Sequence, residues 1–187
     1  VMITEREVSS ADLIALDGRY VMHTYARQPV VFVRGEGCLV YDAEGKEYLD
    51  LVAGIAVNGL GHCHPKVVEA IRRQAGVLMH TSNLYYTPQQ PELARLLVEI
   101  SGMDRAFFCN SGAEANEAAM KIARKAAKAS GDPEKTEIIT AEHSFHGRTM
   151  AAITATGQEK YQKPFLPLLP GIRHVGYNQV DALESAV

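Results

Sequence analysis

The densest chemistry in this 187-residue chain lies at Asn110-Ser111-Gly112-Ala113-Glu114-Ala115-Asn116-Glu117. Ser111 followed three residues later by Glu114 is a capping box. The serine oxygen can take the amide of Glu114, and the glutamate can reach back to the amide of Ser111. The amides of Gly112 and Ala113 are then unclaimed at the positive end of the helix that follows. Their side chains are small enough for an anion to approach the backbone, and a phosphate suits such a place. Neither G-x-G-x-x-G nor G-x-x-x-x-G-K-[ST] is present there, so a monophosphate cofactor is a better candidate than a dinucleotide or a nucleoside triphosphate. A capped helix without a ligand is the plainer alternative.

A second cluster is His143-Ser144-Phe145-His146-Gly147-Arg148-Thr149. Phe145 offers a flat face to an aromatic cofactor. Arg148 offers a two-pronged fork to a carboxylate, and Gly147 lets the backbone bend between them. Taken singly, Phe145 reads equally as core and Arg148 as a surface ion pair; it is their company with residues 110–117 that suggests a site. His62-Cys63-His64 has three contiguous metal-type side chains but no distant partner ligand. No metal is assigned there, and the segment reads as a turn into a helix beginning at Pro65. Cys109 reads as a buried strand residue rather than a nucleophile, and Glu117 as structural. Tyr85 and Tyr86 receive no role.

Both clusters need a scaffold. Residues 105–109, 137–141 and 172–176 read as strands, and residues 111–129 and 180–187 as helices. This alternation belongs to a parallel sheet covered by helices, with both clusters at carboxyl ends of strands, where open α/β sheets hold ligands. Residues 149–156 mix alanine with β-branched residues and leave helix and strand open. Upstream, an amphipathic stripe runs from Pro65 to Leu78, and a helix over residues 90–100 ends at Gly102. Before residue 51 the pattern is a helix over 11–20 and three short strands over 30–33, 38–41 and 46–51. Turns are expected at Gly35-Glu36-Gly37 and Asp42-Ala43-Glu44-Gly45. The expected architecture is therefore α/β: an N-terminal helix and β-meander segment over 1–50, then an α/β domain over 51–187 whose mainly parallel sheet is only begun.

Composition agrees with a soluble globular chain, at 47% hydrophobic and 22% charged residues. A formal charge of −3 steers it toward neither nucleic acid nor anionic membrane. No apolar run approaches the roughly 18 residues that would span a bilayer. Val1-Met2-Ile3-Thr4-Glu5-Arg6-Glu7 is too charged for a signal peptide. Cys38, Cys63 and Cys109 are an odd set without framework spacing, which reads as free thiols in a reducing compartment and places the protein in the cytoplasm.

Residues 110–117 and Phe145-His146-Gly147-Arg148-Thr149, together with Gly61-His62-Cys63-His64-Pro65, Asp42-Ala43-Glu44-Gly45-Lys46 and Ser82-Asn83-Leu84-Tyr85, resemble class III pyridoxal-phosphate-dependent aminotransferases. The resemblance extends over the chain from Tyr25 onward. It implies a fold-type I transferase, aspartate aminotransferase-like, with residues 1–50 in the small domain and 51–187 forming the first half of the large, cofactor-binding domain. It implies pyridoxal 5'-phosphate, with Ser111, Gly112 and Ala113 around the phosphate and Phe145 on the pyridine ring. Arg148 would hold the substrate α-carboxylate, and Tyr25 would line the entrance. Ile55 stands where ornithine-type members carry tyrosine, which points to an acetylornithine or 4-aminobutyrate type. The implied reaction passes the amino group of N2-acetyl-L-ornithine to 2-oxoglutarate, giving N-acetylglutamate 5-semialdehyde and glutamate for arginine biosynthesis, in a homodimer. Alternatives are a 4-aminobutyrate, ornithine or succinylornithine type, an aminomutase, or a non-catalytic phosphate-binding half-module. None of the eight lysines lies in a segment like the family's Schiff-base motif. That lysine, and the aspartate for the pyridine nitrogen, are expected beyond residue 187, so this stretch alone is expected to be inactive.

Overall fold

The computed structural model describes residues 9–187; the charged stretch read against a signal peptide, residues 1–7, lies outside them. The chain gathers into two compact units, one ending at Tyr85 and one beginning at Tyr86. No described helix is long and apolar enough to cross a membrane.

The first unit opens with α1 (Ser10–Tyr20), where Ser9 acts as N-cap and its hydroxyl accepts the Asp12 amide at 3.2 Å. β1 (Phe32–Glu36), β2 (Leu39–Asp42) and β3 (Glu47–Leu49) form an antiparallel sheet in that order. Glu36 pairs with Leu39, so β1 runs through Gly35 and Glu36, where the sequence suggested a turn. The turn is Gly37-Cys38 instead, because the positive φ falls on Gly37 (57°). Gly35 is required for close approach rather than for turning, since a Cβ there would stand 2.7 Å from Cγ of His62. The second turn folds around the buried Asp42, whose Oδ1 accepts the amides of Glu44 (3.1 Å) and Lys46 (2.8 Å). Its Oδ2 accepts the Tyr48 hydroxyl at 2.8 Å. Burial alone would raise the Asp42 pKa, but the Tyr48 hydroxyl and the two amides outweigh it and hold the carboxyl below its ordinary value.

Next comes α2 (Ala53–Ala56), a single left-handed turn with φ of 49° at Ala53, 66° at Gly54, 61° at Ile55 and 60° at Ala56. Such a conformation costs roughly 1–2 kcal/mol per L-residue, so three non-glycine residues held there mark a deliberate strain. α3 (Pro65–Ala75) starts with proline in its first turn, where the missing amide is harmless.

In the second unit, α4 (Gln89–Ser101) stops at Gly102, left-handed at φ 70°, whose amide bonds the Val98 carbonyl. α5 (Gly112–Ala129) leads to the parallel pair β4 (Ile138–Ala141) and β5 (Ile172–Val175). Arg124 of α5 donates to the carbonyls of Thr136 (3.0 Å) and Pro170 (3.2 Å), just before each strand. Lys121, Lys125 and Lys128 are exposed on the same helix. Between the strands lie α6 (Met150–Ala155), α7 (Glu159–Gln162) and a 3-10 turn over Lys163–Phe165; α8 (Val180–Ala186) follows β5.

α6 settles the ambiguity of residues 149–156 in favour of helix, and Ala151 through Thr156 are buried. A buried short helix must have its last carbonyls satisfied. Gln162 supplies that, donating to the carbonyls of Thr154 (2.9 Å) and Thr156 (2.7 Å). Residues 105–109, expected as a strand, join no ladder in the described chain. A strand exists only with a neighbour to bond, and none is offered here. Phe107 is accordingly 66% exposed, and Cys109 is exposed rather than buried.

Candidate functional site

The first turn of α5 is built as its residues predict, with one change. Ser111 is extended (φ −157°, ψ 160°) and its hydroxyl accepts the Glu114 amide at 3.2 Å. Glu114 reaches back past the Ser111 amide: its carboxylate accepts the backbone amide of Asn110 at 2.5 Å and the Asn110 side-chain amide at 3.3 Å. With Ser111 extended, it is the Asn110 amide that comes within reach. The amides of Gly112 and Ala113 take no partner within the helix, as first-turn amides cannot. Gly112 is exposed, and a side chain there would meet nothing within 4 Å, at the positive end of an 18-residue helix.

The loop over residues 143–149 folds onto this same turn. Gly147 (φ 131°) lies so close that a Cβ would stand 2.7 Å from the Cβ of Ala113 and 3.0 Å from its Cα. The Asn116 side chain donates to the His146 carbonyl at 2.7 Å, and the Thr149 hydroxyl donates to Glu117 at 2.5 Å. On its other side the loop is pinned by Thr156, whose hydroxyl accepts the His146 amide at 2.9 Å, and by Gln158, which donates to the Ser144 carbonyl at 3.0 Å. Glu117 therefore has a structural contact, and the two sequence clusters meet across α5.

With its backbone pinned, the loop presents Phe145 and Arg148. Phe145 is 59% exposed, which rules out the reading as core. The Arg148 guanidinium lies 5.8 Å from the Phe145 ring centroid and 5.5 Å from that of Tyr161, so two aromatic faces orient it. Asn116, Tyr161 and Thr156 were not singled out from the sequence. Asn116 was legible, being three residues after Ala113 and so on the same helix face. Tyr161 was not, since only the path through α6 and α7 brings it to Arg148.

Tyr25 and Ile55 belong to the first unit, where both side chains are exposed. His62 is committed to Asp50: Nε2 lies 2.7 Å from Oδ2. That hydrogen bond, with the amides of Ala53 and Val52, holds the Asp50 carboxyl below its ordinary pKa.

Residues 20–186 match the sequence model of the family described as aminotransferase class-III. The chain is 60% identical over 167 residues to an acetylornithine aminotransferase of Nostoc, covering 89% of this chain and 39% of that protein. It is 54% identical over 180 residues to an acetylornithine aminotransferase of Methanocaldococcus jannaschii, covering 96% and 45%. The chain thus spans less than half the length of these relatives. Among solved structures, an ornithine aminotransferase from Toxoplasma gondii superimposes with a TM-score of 0.92 at 36% identity, covering 97% of this chain and 43% of that one.

Proposed function

The chain belongs to the class-III aminotransferases, and on that premise we propose that its parent protein transfers the amino group of N2-acetyl-L-ornithine to 2-oxoglutarate, using pyridoxal 5'-phosphate. The observation that carries this reading is the meeting of Gly147 with Ala113. It sets an open helix N-terminus, an exposed aromatic face and an oriented guanidinium on one piece of scaffold. These residues fit the cofactor: an anion for the amides of Gly112 and Ala113 beside Ser111, and a flat ring for Phe145.

When bound, pyridoxal phosphate supplies the electron sink for proton removal at the donor carbon. The residues of this chain bind and orient. The α5 amides would hold the phosphate, and Phe145 would give the pyridine ring a flat apolar face. Arg148, steadied by Phe145 and Tyr161, grips the α-carboxylate of the donor and then of 2-oxoglutarate through paired N–H donors. Tyr25 lines the entrance, and Ile55 leaves room for the acetylated donor. No lysine of this chain is assigned the Schiff-base role, and no aspartate of it is assigned to the pyridine nitrogen. Residues 1–50 contribute to the small domain and 51–187 to the large one, within a cytoplasmic homodimer.

The identities to acetylornithine aminotransferases support this donor. The fold likeness to an ornithine aminotransferase favours ornithine as the second reading. Glutamate formation by the full-length holoenzyme, measured with each donor in turn, decides between them. A higher kcat/KM for acetylornithine is expected, and no glutamate from acetylornithine would overturn the assignment.

A further inference from the structure

The turn at α2 is held by something other than its own side chains. Ile55 is β-branched, sits at φ 61° and ψ 60°, and is 87% exposed, so its side chain is not packed into that conformation. Restraint comes from Asp50. Its Oδ1 accepts the amides of Val52 (3.0 Å) and Ala53 (2.8 Å), the two residues that enter the turn. Its Oδ2 is joined to His62 at 2.7 Å. His62 is itself fixed to the β1–β2 hairpin: its amide donates to the Gly37 carbonyl (2.7 Å) and its carbonyl accepts the Gly37 amide (3.0 Å). Its ring fills the space left by Gly35, and the Asp50 amide donates to the Cys38 carbonyl at 2.8 Å.

A continuous path of short contacts therefore runs from the hairpin through His62 and Asp50 to the left-handed turn and Ile55. L-residues leave this conformation unless their surroundings over-determine it. A turn that relaxed to right-handed backbone would point the Ile55 side chain in another direction.

We propose that Asp50 and His62 are positioning residues for amino-donor recognition: they hold Ala53–Ala56 left-handed so that Ile55 is displayed in one orientation. This rests on the reading of Ile55 as a donor-side residue; neither Asp50 nor His62 touches the donor.

The test uses the full-length holoenzyme with Asp50→Ala, His62→Ala, and each combined with Ala56→Gly. Amide hydrogen exchange at Val52 and Ala53 reads the clamp without any substrate, and kinetics with acetylornithine reads its consequence. Both single variants are expected to speed that exchange and raise KM for acetylornithine by about tenfold, with kcat and cofactor affinity within about twofold of wild type. Ala56→Gly, which accepts positive φ at no steric cost, is expected to recover most of the KM loss. His62→Gln keeps a donor for Asp50 and Asp50→Asn keeps an acceptor for the two amides. Both are expected to fall between wild type and alanine, and they serve if the alanine variants do not fold. Unchanged exchange overturns the proposal. So does faster exchange with unaltered KM, or a parallel fall of kcat and cofactor affinity, and these results leave the transaminase reading standing. A wild-type holoenzyme that transaminates neither acetylornithine nor ornithine overturns the transaminase reading, and the donor role of the clamp with it.

Discussion

A methyl group at position 147 would stand 2.7 Å from the Cβ of Ala113 and would have to accept φ 131°. Gly147→Ala is therefore expected to destabilise the protein by about 1–3 kcal/mol in urea unfolding, through overpacking and backbone strain together. It is also expected to weaken pyridoxal phosphate binding, because the loop must move off the first turn of α5. An unaffected cofactor affinity in this variant would show that the loop's contact with the first turn of α5 plays no part in cofactor binding. Arg148 is argued at the same scale. With two aromatic faces steering it, Arg148→Ala is expected to raise KM for acetylornithine and for 2-oxoglutarate by at least about tenfold, the loss of a charged two-pronged contact. Equal KM values for variant and wild type would remove Arg148 from the substrate site. At this scale the sequence was most readable where chemistry is local. The serine cap is a matter of three residues, whereas the shift of Glu114 to the Asn110 amide depended on the extended Ser111 backbone.

Elements with a repeating side-chain pattern were legible for the same reason. α1, α4 and α5 end within a residue or two of where periodicity, caps and glycine placed them, since each is stabilised by bonds inside itself. The left-handed turn of α2 carries no such signal: Ala-Gly-Ile-Ala is unremarkable as composition, and its conformation is imposed from Asp50 twelve residues before His62. That imposition has a pH signature. The hydrogen bond from His62, then the amides of Ala53 and Val52, lower the folded pKa of Asp50. An unfolded aspartate titrates near about 3.9. Because the folded value lies below it, the stabilisation is complete above that pH and is lost as pH falls through the folded value. Urea unfolding of the full-length protein between about pH 3 and 7 should show this acid loss, and Asp50→Asn should flatten it while lowering stability at neutral pH. An acid limb identical in wild type and variant would show that the pair contributes nothing to stability.

For the whole molecule, the buried apolar residues among those described are Val40, Ala151, Ala152, Ile153 and Ala155, while Leu51, Val57, Val77, Met79, Ile100 and Phe107 are each more than 60% exposed. That much open apolar surface is a liability in water, and a chain of these 187 residues alone is expected to self-associate, as sedimentation velocity would reveal. The same chain, mixed with pyridoxal phosphate and borohydride, is expected to give no stoichiometric label at a single lysine; one dominant labelled peptide would place a Schiff-base lysine within it. By itself the sequence determined the local chemistry: a serine-capped helix N-terminus, an aromatic side chain, a guanidinium, and helices and strands in α/β alternation. Tertiary structure alone decided which of these meet. It set Gly147 on Ala113, Tyr161 beside Arg148 and His62 on Asp50, and it withheld strand pairing from residues 105–109. The division follows from the range of the forces. Caps and periodic faces are settled within a few residues of chain, whereas a ladder, a close approach or a clamp exists only when two distant segments are brought into contact.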